Sequence, residues 1–145
     1  MKNNTTFTGQ CLCGLIKYQV TEIESQTCHC HCKMCRKFHG AAFATFAEAK
    51  VDNFNWLTGE EHLKTYLAEN GTGRKFCNQC GSSLIFVPSN DKGKLIEFTL
   101  ATLDSKIDLK PDAHIFTDSK ACWYDITDDL PQFTEGRGSK KRILF

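Results

Sequence analysis

The sequence has little of what marks several large classes of protein. Only three of its 145 residues are proline, and no segment is repeated or is rich in proline, glycine or serine. This excludes an unfolded linker or a solenoid as the main part of the chain. No apolar run approaches the length of a transmembrane helix, about 20 residues. The formal net charge is +1, so the chain lacks the basic excess that binds nucleic acid or a membrane surface.

The N-terminal segment is also short of apolar residues. Its sequence, MKNNTTFTGQ, lacks the apolar core of a signal peptide, so we expect a cytoplasmic protein. A chain of 145 residues fits one domain and can bury a core without help from disulfides.

Cysteine, by contrast, is abundant, with nine residues. A reducing cytoplasm disfavours disulfides, so clustered cysteines there more often bind metal. An odd number would leave one thiol over, and Cys11 and Cys13 are too close in sequence to bridge each other easily. The composition therefore favours metal sites over a disulfide framework.

Hydrophobic alternation predicts a mainly β fold. Strands are predicted over residues 15–20, 42–49, 83–88 and 94–103. The segment 61–70 has the composition of a helix, but its apolar residues alternate and a Gly-Thr-Gly turn follows, so we favour a strand there. A short helix is predicted at 35–40, ended by Gly40.

Two cysteine pairs, each followed by glycine, form the first candidate metal site. They are CLCG, with Cys11 and Cys13, and CNQCG, with Cys77 and Cys80. The C-x-x-C-G turn is typical of a zinc knuckle, because its glycine takes a positive φ that turns backbone N–H groups toward the sulfurs. Two such pairs would make one closed site of four thiolates, which is a structural site. The alternative is four unrelated core cysteines.

The second candidate site lies in TCHCHCKMCRKFHG, residues 27–40. Its C-x-C-x-x-C spacing allows Cys30, Cys32 and Cys35 to face one metal where a strand passes into a helix. A fourth position would then stay open for water or substrate, as in catalytic zinc sites. Cys28, two residues upstream on the same strand face, could instead complete a closed site.

His29 and His31 alternate with these cysteines in the sequence. Successive side chains of a strand point to opposite faces, so we predict that both histidines lie on the other face, where they pack or support the ligands, and do not bind the metal. Thiolates alone do not identify a metal, so an iron–sulfur cluster is another interpretation of the cysteines.

Four motifs follow one another in a recognisable order. They are G-x-C-x-C-G-x-x-x-Y from Gly9 to Tyr18, C-H-C-x-x-C-R-K-x-x-G from Cys30 to Gly40, F-C-x-x-C-G-S-x-L from Phe76 to Leu84 and P-D-A-H-I-F from Pro111 to Phe116. In this order they resemble the glutathione-dependent formaldehyde-activating enzyme family, which includes the centromere protein V type of domain. The segment WYDITDDLPQF at 123–133 is also similar to that family. The resemblance predicts a zinc-binding domain over residues 7–133, followed by a basic C-terminal tail at 134–145.

The resemblance also implies a fold and a set of metal ligands. The fold is a small single-domain β-tent, a mainly β structure whose strands splay like a tent. A structural zinc is placed on Cys11, Cys13, Cys77 and Cys80. A second zinc, with its fourth position open, is placed on Cys30, Cys32 and Cys35. Cys28 and Cys122 lie outside the family pattern.

The implied reaction adds glutathione to formaldehyde or reverses that addition. Breaking the adduct, S-hydroxymethylglutathione, is a carbon–sulfur lyase reaction. Zinc would lower the pKa of the glutathione thiol and keep it ionised, and would polarise the aldehyde oxygen. The expected partners are a small thiol and a small aldehyde, with no nucleic acid and no membrane. The implied catalytic residues are Cys30, Cys32 and Cys35.

Basic residues flank both cysteine clusters in sequence. Arg36 presents a guanidinium fork that suits the carboxylates of glutathione, so we assign it to binding that molecule, with balancing of the thiolate charge or plain solvation as the alternative. For Lys33 and Lys37 we favour balancing of the thiolate charge or plain solvation. Arg74 and Lys75, beside CNQCG, carry the same alternatives.

Other residues near these motifs have weaker assignments. His39 is a candidate proton carrier beside an open zinc, although packing or exposure is the simpler interpretation. His114, in PDAHIF, is expected near the metal pocket with no assigned role. Five phenylalanines are expected in the core and not in a substrate cage: Phe43, Phe46, Phe86, Phe98 and Phe116.

Two other functions compete with the lyase. A non-catalytic scaffold or interaction module would hold two structural zincs, and Cys28 as a fourth ligand would favour it. A related zinc enzyme that acts on another thiol adduct or carbonyl would carry the same motifs. The oligomeric state is not indicated by the sequence.

Overall fold

The structure, a computed structural model, describes residues 5–143 and is mainly β, as predicted. Within that range the strands are β1 Phe7–Gln10, β2 Lys17–Val20, β3 Thr27–Cys30, β4 Ala44–Lys50, β5 Phe54–Thr58, β6 Leu63–Leu67, β7 Gly73–Cys77, β8 Ser83–Val87, β9 Leu95–Thr99 and β10 Ala113–Ile115. One α-helix, α1, spans Lys33–His39. Single turns of 3-10 helix lie at Val51–Asn53, Glu60–His62, Leu100–Thr102 and Thr117–Ser119. No helix in the described part of the chain is long and apolar enough to cross a membrane.

The contacts of the chain divide it into two compact units. The first comprises the described residues up to Ser25 together with Ala47–Asp108. The second comprises Gln26–Phe46 and the described residues from Leu109 onward. Strand β4 begins in the second unit and ends in the first.

The first unit is built from antiparallel strands. β1, β2 and β5 form a three-stranded sheet, with Gly9 opposite Tyr18. β6, β7, β8 and β9 form a meander in which each strand pairs with the next. The turn between β6 and β7 contains Gly71 at φ 85°. This hairpin confirms the strand that was predicted within 61–70.

An aromatic cluster forms the core of the first unit. Tyr18 stacks on Phe54 with ring centroids 5.0 Å apart and meets Phe98 edge-on at 5.9 Å. The Tyr18 hydroxyl hydrogen-bonds to Thr102 at 2.7 Å, and burial raises the pKa of Tyr18 to about 12. Gly9 is needed beside this ring, because a Cβ there would lie 2.5 Å from the Tyr18 hydroxyl oxygen.

The second unit carries a parallel strand pair and the helix. β3 and β10 run parallel, with His29 opposite His114 and Cys30 opposite Ile115. The chain leaves β3 and enters α1, which ends at Gly40 with φ 61°, the stop that the sequence predicts. The helix begins two residues before the predicted position. The cause is Cys32, which caps it and whose sulfur accepts a backbone N–H.

The predicted strands are present with somewhat different bounds. The segments 15–20 and 83–88 contain β2 and β8, and the segment 42–49 overlaps β4, which ends one residue later at Lys50. The segment 94–103 is a strand only to Thr99. There a 3-10 turn begins, and the Thr102 hydroxyl donates to the carbonyl of Thr99 at 2.8 Å.

The segment expected as a basic tail, 134–145, makes specific contacts over its described part. Arg137 forms an ion pair with Asp112. Arg142 forms an ion pair with Asp118. The last two residues of the segment lie outside the described residues.

Glu97, on β9, is a partly buried acid in the first unit. Burial first, and then the nearby carboxylates of Glu48 and Asp91, raise the pKa of Glu97 to about 7 from its ordinary 4.5. The folded state therefore binds this proton more tightly than the unfolded state does. The free energy of unfolding consequently falls as the pH rises from about 4.5 to about 7.

We expect Glu97→Gln to stabilise the protein above pH 7 and to change its stability little below pH 4.5, because the amide removes only the buried charge. The expected gain at pH 8 is about 1–3 kcal/mol, from about 1.4 kcal/mol per pKa unit discounted for partial exposure. Urea unfolding at fixed zinc concentration at both pH values measures it, with exposed Glu69→Gln as the control. An equal gain at both pH values would show that ionisation is not the cause.

Candidate metal centres

The four-cysteine cluster of the first unit is formed by two turns of similar geometry. In the first, after β1, the N–H of Ile16 donates to the sulfur of Cys11 at 3.3 Å. In the second, at the end of β7, the N–H of Gln79 donates to the sulfur of Cys77 at 3.4 Å. Each turn has its glycine at φ 77°: Gly14 and Gly81. Backbone N–H groups thus face the sulfurs, and this favours the ionised thiolate that binds metal.

The sulfur separations suit a tetrahedral metal. All four sulfurs lie within 4.8 Å of one another. The distance is 3.6 Å between Cys11 and Cys13 and 3.9 Å between Cys13 and Cys77. A tetrahedral zinc with Zn–S bonds of about 2.3 Å holds its sulfurs roughly 3.8 Å apart, whereas a disulfide brings two sulfurs to about 2.05 Å. The cluster therefore fits a zinc ion and not a disulfide.

Ser82 joins the two turns of this cluster. Its hydroxyl oxygen accepts the N–H of Leu12 at 2.7 Å and lies 3.4 Å from the sulfur of Cys80. Although burial opposes ionisation, hydrogen bonds from the Ser82 hydroxyl and backbone lower the pKa of Cys80 to about 5. Ser82 therefore stabilises a thiolate and holds the CLCG turn. The serine stands in the C-G-S part of the third motif, which is the sequence signal that could have identified it.

The three-cysteine cluster lies in the second unit, where β3 passes into α1. Cys30 is the last residue of β3, Cys32 caps the helix, and Cys35 lies in its first turn. Their sulfurs lie within 4.8 Å of one another. The N–H of Cys35 donates to the sulfur of Cys32 at 3.2 Å. The C-x-C-x-x-C spacing predicts that these three residues can face one metal, and the structure brings their sulfurs together.

Cys28 does not join this group. It lies on β3 opposite Ala113 of β10. Among the described residues, no other cysteine, histidine or carboxylate has a ligand atom within 4.8 Å of all three sulfurs. A metal held by these three sulfurs would keep one position for another ligand.

The three sulfurs require a cation if they are ionised. Hydrogen bonds with Cys32 and Cys35, together with burial, raise the pKa of Cys30 far above its ordinary value when no metal balances the charge. Thiolates this close repel one another, and a bound divalent ion reverses that effect by deprotonating the ligands. The donor set fits zinc, which binds thiolate sulfur readily.

A histidine cluster occupies the same unit. His31 Nε2 lies 2.7 Å from His114 Nδ1, and His114 Nε2 lies 3.0 Å and 3.1 Å from the two carboxylate oxygens of Asp128. His31 and His114 are 0% and 1% exposed. His29 Nδ1 lies 2.8 Å from the hydroxyl oxygen of Thr45.

The environment disfavours the charged form of two of these histidines, His29 and His31. Burial first, and then the neighbouring His114 and His29, lower the pKa of His31 to about 4. Burial and His114 also lower the pKa of His29. Asp128 is the ionised partner of His114. Desolvation raises the pKa of the Asp128 carboxyl, but hydrogen bonds from His114 and from the Leu130 N–H outweigh it and lower that pKa.

Neither His29 nor His31 belongs to the three-sulfur group, and both pack against Phe43, at 4.4 Å and 5.0 Å between ring centroids. The structure brings His114 to them, which links PDAHIF to the cluster region. The sequence does not reveal Asp128, because three aspartates in WYDITDDLPQF were equivalent candidates.

The flanking basic residues differ in burial. Lys33 and Lys37 are exposed, and Arg36 is partly buried with its Nε unpaired. Arg74 is 3% exposed and lies over the ring of Phe86 at 5.1 Å.

The other aromatic candidates lie mostly in packed positions. His39 meets the ring of Phe46 edge-on at 5.8 Å. Phe46 and Phe98 are buried, at 6% and 0% exposure. Phe86 and Phe116 are partly buried, and Phe116 has the positive φ of 54°.

Known proteins are similar to this chain in sequence or in fold. A family model described as glutathione-dependent formaldehyde-activating enzyme matches residues 6–119. A protein named as an uncharacterized lyase, from Schizosaccharomyces pombe, is 29% identical over 129 residues, which are 88% of this chain and 90% of that protein. The crystal structure of a Rhodobacter sphaeroides protein has a TM-score of 0.57 at 22% identity, over 70% of this chain and 91% of the other. That last likeness shows the fold.

We expect Ser82→Ala to weaken metal binding at the four-cysteine cluster by about tenfold, because the Cys80 thiolate loses a hydrogen bond and the CLCG turn loses its anchor. Competition with a zinc chelator measures the affinity. Ser89→Ala, an exposed serine on the same chain, is the matched control and should behave as wild type. An unchanged affinity in Ser82→Ala would remove Ser82 from any role at the metal.

Proposed function

Because the chain belongs to the glutathione-dependent formaldehyde-activating enzyme family, we propose that it is a zinc-dependent carbon–sulfur lyase acting on a thiol–aldehyde adduct. The adduct is of the S-hydroxymethylglutathione type. The lyase name of the Schizosaccharomyces pombe relative supports this reaction class. We place the protein in the cytoplasm, where glutathione is abundant and thiols stay reduced.

One observation carries the proposal. The sulfurs of Cys30, Cys32 and Cys35 converge within 4.8 Å, and Cys28 stays out of the group. Four thiolates would close a zinc site, and three leave one position for a substrate sulfur or oxygen. The four-cysteine cluster of the first unit has the complementary role of a closed, structural site.

The reaction is a proton transfer coupled to the cleavage of one bond. The hydroxyl oxygen of the adduct loses its proton as its C=O bond forms, the C–S bond breaks, and its electron pair stays on sulfur. The sulfur leaves as a thiolate or takes up a proton, which gives glutathione and formaldehyde. Zinc, when bound, supplies the positive charge that stabilises the thiolate product.

The residues of this chain bind and orient the reactants. Cys30, Cys32 and Cys35 would hold the metal from the end of a strand and the start of a helix, two rigid elements. Arg36 follows Cys35 directly, so its guanidinium suits a carboxylate of glutathione.

We expect wild-type protein to hold about two zinc ions and the Cys32→Ser variant about one, because each cluster fits one ion. Cys28→Ser is the matched control and should keep about two, since Cys28 lies outside the group. Zinc per chain is measured on purified protein. Glutathione titrated into each protein in a calorimeter should give heat with wild type and Cys28→Ser only.

Three results would count against the proposal. Loss of zinc in Cys28→Ser would make that residue a ligand and close the site. Glutathione heat retained in Cys32→Ser would separate thiol binding from the cluster. Two occupied sites with no glutathione heat and no adduct cleavage would mark the protein as a zinc scaffold.

We expect Arg36→Gln to raise the KM for the glutathione adduct about tenfold or more with a smaller change in kcat, because a charged hydrogen bond to a carboxylate is lost. Lys37→Gln removes a neighbouring exposed charge and is the matched control. Formaldehyde release from the adduct measures both parameters. Equal effects of the two variants would indicate general electrostatic attraction and not a specific contact by Arg36.

A further inference from the structure

Three polar side chains form a line from the protein surface into the second unit. Asp128 is 47% exposed, and both of its carboxylate oxygens lie within 3.1 Å of His114 Nε2. His114 Nδ1 lies 2.7 Å from His31 Nε2. His31 is the inner end of the line, and its Nδ1 is buried without a hydrogen-bond partner.

The carboxylate determines where the ring protons lie. An ionised carboxylate only accepts hydrogen bonds, so His114 must carry a proton on Nε2. The other nitrogen of a neutral His114 is then an acceptor, and His31 must donate to it from Nε2. His31 is left with a bare nitrogen at Nδ1.

The other arrangements are less favourable. A proton on His114 Nδ1 alone would turn a lone pair toward the Asp128 carboxylate at 3.0 Å. A doubly protonated His114 would bury a charge at 1% exposure and leave His31 with an unpaired N–H at Nδ1.

We propose that Asp128 is a positioning residue that acts through His114 to hold His31 as its Nε2–H tautomer, and so fixes residue 31 between two ligands of the three-cysteine cluster. His31 is held to β10 twice: its backbone N–H donates to the Ile115 carbonyl at 2.9 Å, and its side chain bonds to His114. Cys30 and Cys32 flank it in the chain, so a fixed residue 31 limits where their sulfurs point.

Asp128 lies beyond residues 6–119, the part of the chain that the family model matches. The carboxylate therefore comes from a segment to which that match assigns nothing. The assignment of the His31 tautomer does not depend on the proposed lyase activity. The effect of that tautomer on metal binding does rest on the proposed function.

The decisive experiment is long-range 1H–15N NMR of the histidine rings in the full, zinc-loaded chain. We expect the Nε2–H pattern for His31 in wild type and a mixed or Nδ1–H pattern in Asp128→Ala, because His114 is then free to reverse. Asp128→Asn offers an amide oxygen in the same place and should largely retain the wild-type pattern. The matched control is Asp129→Ala, which removes the neighbouring exposed carboxylate and should leave the pattern unchanged.

Two spectroscopic outcomes would overturn the proposal: an Nδ1–H pattern for His31 in wild type, or an unchanged His31 pattern in Asp128→Ala. The substitution is at an exposed side chain, and the backbone amide spectrum checks that the variant is folded.

Zinc affinity of each cluster, measured by chelator competition, is the second readout. We expect Asp128→Ala to weaken the three-cysteine cluster about tenfold and to leave the four-cysteine cluster unchanged. A changed tautomer with unchanged affinity would refute the positioning of the ligands. If wild type shows no adduct cleavage, the proposed lyase fails, while the NMR result still decides the tautomer.

Discussion

Close approach of sulfur atoms is the constraint on which both candidate centres depend. Thiolates within 4.8 Å of one another repel unless hydrogen bonds and a cation balance their charge. The protein meets the first need with backbone N–H groups, which reach the sulfurs of Cys11, Cys32 and Cys77. The charge of the sulfurs is balanced by a cation only when metal is bound, so folding of these segments and metal binding are coupled.

The two clusters solve this constraint in different ways. In the first unit, two glycine-containing turns from distant parts of the sequence supply two sulfurs each, so a metal there would cross-link the chain. In the second unit, one continuous stretch from β3 into α1 supplies three sulfurs. This stretch supplies three sulfurs and not four, and the missing ligand suits the site to a reacting ligand.

The buried histidines give the second unit a polar interior that is ordered by one surface carboxylate. Buried imidazoles need hydrogen-bond partners. His31 bonds to His114, and His114 bonds to Asp128. Such a network restricts ring orientation more sharply than apolar packing would, because each proton position determines the next. The described residues after 119 are thus part of the second unit and not an appendage to it.

Short-range patterns in the sequence determined the turns, the strands and the helix end of this protein. Each of these patterns spans only a few residues, so backbone geometry converts it directly into a turn, a strand or a helix cap. The patterns are the cysteine pairs followed by glycine, the C-x-C-x-x-C stretch, the period-two strands and the helix stop at Gly40. Only the tertiary structure decided that Cys28 stays outside the sulfur group, that Ser82 joins two turns 70 residues apart, and that Asp128 is the aspartate beside His114. The place of Cys28 depends on the pairing of β3 with β10, and the other two features depend on contacts between separate segments. Packing of the unit sets these distances, and no pattern along the chain does.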